Sequence, residues 1–168
     1  NSAEFINKSL PIHICPLALF AGMFALSRRS QMAYEIAYFW GFAGTINALF
    51  TPDIEWAFPS FGFIGYFTTH CGVLWMVLFA TWSLNLRPTW RSVWRAYGLL
   101  LALGVVLTFI NLALGGRPGL EEGANYAFLC APPAADTPFI IGPWPWYLIG
   151  LAAVALALFV LAYLPFWW

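Results

Sequence analysis

The sequence has 168 residues, of which 62% are hydrophobic and only 8% are charged. Soluble domains carry about a quarter charged residues, so this composition excludes a water-soluble enzyme and indicates an integral membrane protein. Seven basic residues balance seven acidic ones, and the absence of a basic patch excludes a nucleic-acid-binding protein.

Five apolar stretches predict five membrane helices, because a helix needs about 20 apolar residues to cross a bilayer. The stretches cover approximately residues 10–26, 33–50, 61–84, 95–114 and 144–164. None alternates apolar and polar residues as the strands of a membrane barrel would. We therefore predict an all-α fold, a polytopic transmembrane helical bundle that forms one domain over residues 1–168.

The connections between these stretches differ in charge. The first and third, with the start of the fourth stretch, carry basic residues only: Arg28, Arg29, Arg87, Arg91 and Arg95. The second and fourth carry Arg117 and the acidic residues Asp53, Glu55, Glu121, Glu122 and Asp136. Since arginine-rich loops face the cytoplasm, the long fourth loop, about residues 115–143, is predicted on the outer face.

Glu35 lies at the predicted cytoplasmic start of the second helix. A carboxylate at the edge of a bilayer needs a cationic partner. We expect it to pair with Arg28 or Arg29 in the preceding turn.

Polar side chains on four of the predicted helices lie at a similar depth, in the outer half of the bilayer. Each needs a partner in hydrocarbon, so together they predict one cavity that opens to the outer side. These residues are His13, Cys15, Thr45, Asn47, Thr68, Thr69, His70, Cys71, Thr108 and Asn111.

A thiol and an imidazole in such a cavity could form a nucleophile and its base. Cys15 could attack an acyl carbonyl while His70 or His13 takes the proton. Asn47 or Asn111 could orient the imidazole or stabilise an oxyanion. A structural alternative stays open, because a buried cysteine is usually a small hydrophobic group and a membrane histidine often bonds a neighbouring helix.

Two other chemistries could use these residues. Two histidines on different helices could ligate haem, but His13 and His70 are predicted at somewhat different depths and the sequence holds no second pair. His13, Cys15, His70 and Cys71 could bind zinc, but their spacing matches no compact ligand motif. We therefore predict no metal and no cofactor. A disulfide between Cys15 and Cys130 on an oxidising outer face would remove the proposed nucleophile.

Several short motifs occur in a fixed order along the chain. They are LPIHIC at residues 10–15, YFWG at 38–41, TPD at 51–53, the membrane histidine at 70, NY at 125–126 with LC at 129–130, and GPWPWY at 142–147. This ordered set resembles the YwaF family of bacterial integral membrane proteins. More distantly, it is similar to the eukaryotic transmembrane protein 164 family and to the androgen-induced (FAR-17a) group.

The resemblance implies a location and a chemistry. It implies a multi-pass protein of the bacterial inner membrane, with one or two further helices before LPIHIC. The transmembrane protein 164 group resembles a cysteine-dependent phospholipid acyltransferase, and the androgen-induced group hydrolyses fatty-acid esters with a Thr and a His. Carried over by motif, Cys15 is the nucleophile and His70 the base, whereas His13 and Cys130 match motif positions without an assigned role.

Two functions are therefore expected. The first is a membrane protein with an outward-facing cavity that binds a membrane lipid and acts as an acyltransferase or ester hydrolase through Cys15 and His70. The second is a non-enzymatic accessory subunit of a larger photosynthetic or respiratory membrane complex. In the second case, other membrane subunits would be its partners, and the polar cluster would only hold helices together.

Overall fold

The computed structural model describes residues 11–52, 54, 56–120, 122–133, 140 and 142–168. In these residues it has five main helices and no strand, so the predicted all-α fold is confirmed. Helix α1 is Ile14–Arg28, α3 is Phe61–Ser83, α4 is Trp90–Ala113 and α5 is Trp146–Tyr163. Helix α2 covers residues 31–50 in three parts: the α-helix Gln31–Trp40, the π-helical turn Gly41–Thr45 and the α-helix Ile46–Phe50.

The helix starts follow from local capping. Ser60 accepts a hydrogen bond from the backbone of Phe63 at the start of α3. At the start of α4, Thr89 and Ser92 form a reciprocal capping box. For this reason α4 begins at Trp90, whereas the apolar pattern placed its start at Arg95.

Helix α2 lies at the centre of the bundle and packs against all four other helices. Its buried aromatic side chains bond backbone carbonyls of its neighbours. The indole of Trp40 donates to Ala96 O of α4 at 3.1 Å, and the hydroxyl of Tyr38 donates to Ala162 O of α5 at 2.9 Å. These bonds satisfy polar atoms that hydrocarbon could not.

Three segments are long and apolar enough to cross a membrane: Phe61–Ser83, Trp90–Ala113 and Trp146–Phe166. Helix α1 is apolar but shorter. Large apolar side chains are exposed on the outer surface of α3, α4 and α5, as expected of faces that contact lipid. Examples are Trp75, Phe79, Val105, Phe109, Ile149 and Leu161.

The two arginine-rich connections lie at the same end of the bundle, which we call the arginine end. The side-chain amide of Gln31 donates to Arg87 O at 2.7 Å and so joins them. Helix α4 runs from there to the opposite, loop end, where Arg117 and Glu122 form an ion pair at 3.3 Å. The other predicted acidic positions of this end, Asp53, Glu55, Glu121 and Asp136, lie outside the described residues.

The predicted pairing of Glu35 with Arg28 or Arg29 was wrong. Its buried carboxylate lies 3.2 Å from Nε of Arg95 on α4 and accepts a hydrogen bond from Gln31 at 3.0 Å. Arg28 and Arg29 are exposed at the turn after α1. Because α4 begins at Trp90, Arg95 lies on its second turn beside α2. Glu35 therefore pairs with Arg95 and not with Arg28 or Arg29.

Candidate functional site

The π-helical turn Gly41–Thr45 interrupts the central helix halfway along its length. Such turns are rare and often occur at functional sites. A Cβ atom at Gly41 would lie 2.7 Å from Cγ1 of Val73, closer than real Cβ contacts allow. Glycine at this position therefore lets the backbone of α2 approach α3.

A second contact fixes how α2 and α3 are aligned. The hydroxyl of Tyr66 on α3 donates to Ala48 O of α2 at 2.9 Å. From Gly41 to Ala48 the chain advances seven residues, and from Val73 to Tyr66 it goes back seven. The two helices are thus antiparallel, and three residues on from Gly41 and three back from Val73 place His70 near the level of Gly44.

Cys15 lies beside the π turn on a second neighbouring helix, α1. It is the second residue of α1 and half-buried. A Cβ atom at Gly44 would lie 3.6 Å from its Sγ, which is ordinary van der Waals contact. Helices α1 and α3 therefore bring Cys15 and His70 near the level of the same glycine. Within the described residues, the Cys15 sulfur makes no hydrogen bond to an imidazole.

His70 is held by its own helix. Its side chain is 8% exposed, and its Nδ1 lies 2.7 Å from the carbonyl oxygen of Tyr66. A carbonyl only accepts, so Nδ1 carries the proton of the neutral ring and Nε2 keeps a free lone pair. The Tyr66 ring stacks beside the imidazole with 4.1 Å between centroids. This tautomer can accept a proton at Nε2.

Thr45, the last residue of the π turn, is fully buried. Its hydroxyl oxygen has no hydrogen-bond partner among the described residues. Two other helical threonines behave in the usual way: Thr81 donates to Val77 O at 2.7 Å and Thr108 donates to Gly104 O at 2.8 Å. Thr45 therefore differs from both.

His13 contacts the long loop. It is the N-cap residue of α1, and its Nδ1 accepts a hydrogen bond from the backbone N–H of Ala127 at 3.5 Å. Its ring packs edge-on against Tyr126, with 5.1 Å between centroids. Burial lowers the pKa of the His13 imidazole below its usual value of 6.5, which favours the neutral ring that this bond requires. These contacts make His13 an anchor of the loop.

Asn111 also binds the loop. It is fully buried on α4. Its Oδ1 accepts from the backbone N–H of Tyr126 at 2.8 Å, and its Nδ2 donates to Tyr126 O at 3.0 Å. Its amide was predicted to orient an imidazole or an oxyanion, whereas the structure shows it engaged with this backbone. For His70, the carbonyl of Tyr66 provides the orientation.

Asn47 lies on a different side of α2. Its Nδ2 donates to Ala43 O of its own helix at 2.8 Å. It lines an apolar groove of about 140 Å³ between α2 and α5, together with Phe42, Leu158 and their neighbours. Cys15 and His70 are not among the residues that line this groove.

Residues of the last two sequence motifs, NY with LC at 125–130 and GPWPWY at 142–147, make hydrogen bonds within the long fourth loop. Oδ1 of Asn125 accepts from the backbone N–H of Cys130 at 2.9 Å. The hydroxyl of Tyr147, at the start of α5, donates to Phe128 O at 2.8 Å. Burial raises the pKa of the Cys130 thiol, which favours its neutral form.

The three cysteines Cys15, Cys71 and Cys130 are all free. The disulfide that could have joined Cys15 to Cys130 is not formed in the structure. The Cys15 sulfur therefore remains a thiol.

Sequence reasoning assigned no chemical role to two groups near this site, the Thr45 hydroxyl and the Tyr66 carbonyl. Thr45 was predicted only as one of the polar residues of the cavity, and neither residue belongs to the motifs. A weak signal was present, because Gly41 and Gly44 lie three residues apart within an apolar stretch of α2. Paired glycines in such a helix often mark a close approach of backbones.

A family model described as the TMEM164 family matches residues 1–163. No curated protein matches the chain, and no solved structure does. The matched range contains both Cys15 and His70. The resemblance to the transmembrane protein 164 family is thereby confirmed, while the narrower resemblance to the YwaF family stays a prediction.

Proposed function

Because the chain belongs to the TMEM164 family of membrane proteins, we propose that it is a lipid acyltransferase or ester hydrolase with Cys15 as nucleophile and His70 as base. One observation carries the proposal: a Cβ atom placed at Gly44 would lie 3.6 Å from the Cys15 sulfur, and Gly44 lies near the level of His70 when α2 and α3 are aligned. The thiol and the imidazole thus lie near the level of the same turn of the central helix.

The proposed reaction has two steps. In the first, the Cys15 proton moves to Nε2 of His70 and the sulfur attacks the carbonyl carbon of a fatty-acyl ester, so that a C–S bond forms and the C–O bond breaks. The His70 proton then goes to the leaving alkoxide. In the second, His70 takes the proton of water or of a second lipid's hydroxyl while that oxygen attacks the thioester; a C–O bond forms, the C–S bond breaks, and His70 returns the proton to the Cys15 sulfur. Water gives hydrolysis, and a lipid hydroxyl gives acyl transfer.

The substrate class follows from the surroundings of the site. Helices α3, α4 and α5 present large apolar side chains on their outer faces, so the protein's immediate solvent is lipid. We propose a membrane lipid as the acyl donor. We further propose that the arginine end faces the cytoplasm of a bacterial cell and that the site is reached from the outer side.

The loop anchors fit this proposal as positioning groups. His13 holds Ala127 and lies only two residues before Cys15. Asn111 holds the neighbouring Tyr126 from α4. Together they fix the start of α1, and hence the Cys15 sulfur, relative to the rest of the bundle.

Labelling of the nucleophile tests the proposal. The protein is purified in lipid nanodiscs, incubated with the 4-nitrophenyl ester of a long-chain fatty acid, and analysed by intact and peptide mass spectrometry. We expect one acyl adduct, on Cys15. Cys15→Ser should abolish it, and His70→Ala should slow it by about 100-fold or more. Cys71→Ser is the matched control, because Cys71 is also half-buried in the membrane and should not be needed.

Two outcomes contradict the proposal. One is an adduct that persists in the Cys15→Ser variant, and the other is a folded wild-type protein that forms none. The second outcome favours the accessory-subunit function, in which the exposed aromatic side chains would contact other membrane subunits.

A further inference from the structure

The hydroxyl of Thr45 is the buried polar group in the described structure that the fold least explains. The residue is 0% exposed, and its oxygen has no hydrogen-bond partner there. An unsatisfied buried hydroxyl costs free energy, and in a native protein it needs a reason. Valine has nearly the same shape and would avoid the cost.

The π turn explains how this hydroxyl becomes free. In a regular helix, a threonine hydroxyl bonds the carbonyl four residues earlier, as Thr108 does with Gly104 at 2.8 Å. Thr45 ends the π turn and makes no such bond to Gly41. The local backbone thus keeps a donor available in the middle of a membrane protein.

The position of Thr45 relates it to the proposed reacting groups. It follows Gly44, where an added Cβ atom would lie 3.6 Å from the Cys15 sulfur. It also lies four residues after Gly41, so it shares the face of α2 that packs on α3. In the alignment of α2 and α3 described above, that face meets α3 near the level of His70 and the residue before it.

We propose that the Thr45 hydroxyl donates a hydrogen bond to the acyl carbonyl oxygen of the lipid ester when Cys15 attacks it. This inference rests on the proposed function of Cys15 and His70. As the C–S bond forms, the carbonyl oxygen becomes an oxyanion, and a donor already placed in a dry site stabilises that charge. Thr45 transfers no proton. It would be a catalytic residue in addition to the nucleophile and the base.

The test uses two substitutions at one position. Thr45→Val keeps the shape and removes the donor, and Thr45→Ser keeps the donor and removes a methyl group. Each variant is compared with the wild type in nanodiscs for the rate of Cys15 acylation by the 4-nitrophenyl ester and for the thermal unfolding midpoint. Thr108→Val is the matched control, because it removes a hydroxyl of α4 that already has a hydrogen-bond partner, Gly104 O of the same helix.

We expect Thr45→Val to slow acylation by about 100-fold while its unfolding midpoint equals or exceeds that of the wild type. Thr45→Ser should keep most of the rate, and Thr108→Val should acylate at the wild-type rate. Wild-type acylation in Thr45→Val overturns this inference and leaves the proposed function intact. Absence of Cys15 acylation in the wild type overturns both. If Thr45→Val fails to fold, a wild-type rate in Thr45→Ala overturns the inference, and a slow rate supports it.

Discussion

Gly41 of α2 meets Val73 of α3 so closely that a Cβ atom at position 41 would lie 2.7 Å from Val73 Cγ1. This contact, with the hydrogen bond from Tyr66 to Ala48, sets the alignment of the two helices. The level of His70 relative to Cys15 depends on that alignment. The glycine therefore contributes to the site without touching either proposed reacting group.

Gly41→Ala should destabilise the protein by about 1–3 kcal/mol, because the new methyl group overpacks a stiff β-branched neighbour. The penalty should shrink in a Val73→Ala background, where the opposing methyl group is gone. Chemical unfolding in detergent of the two single variants and the double variant measures this coupling. Gly98→Ala is the control, because no atom lies within 4 Å of a Cβ placed there. If Gly41→Ala costs the same stability in the wild-type and Val73→Ala backgrounds, Gly41 does not pack against Val73 and the proposed alignment of α2 and α3 is contradicted.

The sequence predicts most of the fold but less of the site. Long apolar runs identify the helices, because burial in lipid requires them. The start of α4 was placed too late, since Arg91 and Arg95 interrupt the apolar pattern and hide the Thr89 cap. The partner of Glu35 lies 60 residues away, and short-range charge rules could not find it.

The sequence indicates that polar residues of the bundle need partners, but it does not identify those partners. Asn111 was expected to serve an imidazole and instead holds the backbone of Tyr126. The π turn in α2 packs against three neighbouring helices, α1, α3 and α5, and the periodicity of the sequence does not reveal it. Cys15 and His70 as the reacting pair stay a prediction.

Asn111→Ala should lower the free energy of unfolding by about 2–4 kcal/mol, because it removes two buried hydrogen bonds to Tyr126 at once. Asn47→Ala should cost less than about 1 kcal/mol, since Asn47 bonds only a carbonyl of its own helix. Unfolding of both variants in the same detergent measures the difference. Equal losses would show that Asn111 does not clamp the loop.

His13 should make stability depend on pH. Because burial lowers its folded-state pKa below 6.5, the unfolded chain binds the proton more tightly. The stabilisation is therefore complete above pH 6.5 and is lost as pH falls from 6.5 through the lowered folded-state pKa. His13→Gln should flatten the dependence of the unfolding midpoint on pH between 7.5 and 5.5. If wild type and variant lose stability in parallel over this range, His13 is not held neutral by the loop.

The distance between the positions of Cys15 and His70 tests the central claim most directly. With Cys130→Ser as background, His70→Cys combined with Cys71→Ser leaves two thiols, one at each proposed reacting position. Treatment with a short bifunctional thiol reagent in nanodiscs should join them within one chain, as detected by mass spectrometry. The same background with the native Cys71 and His70 is the control and should bridge poorly, because Cys71 lies about 100° around α3. Efficient bridging of Cys15 to position 70 is the result we predict. No bridge there, or a preferred bridge to Cys71, would contradict the site.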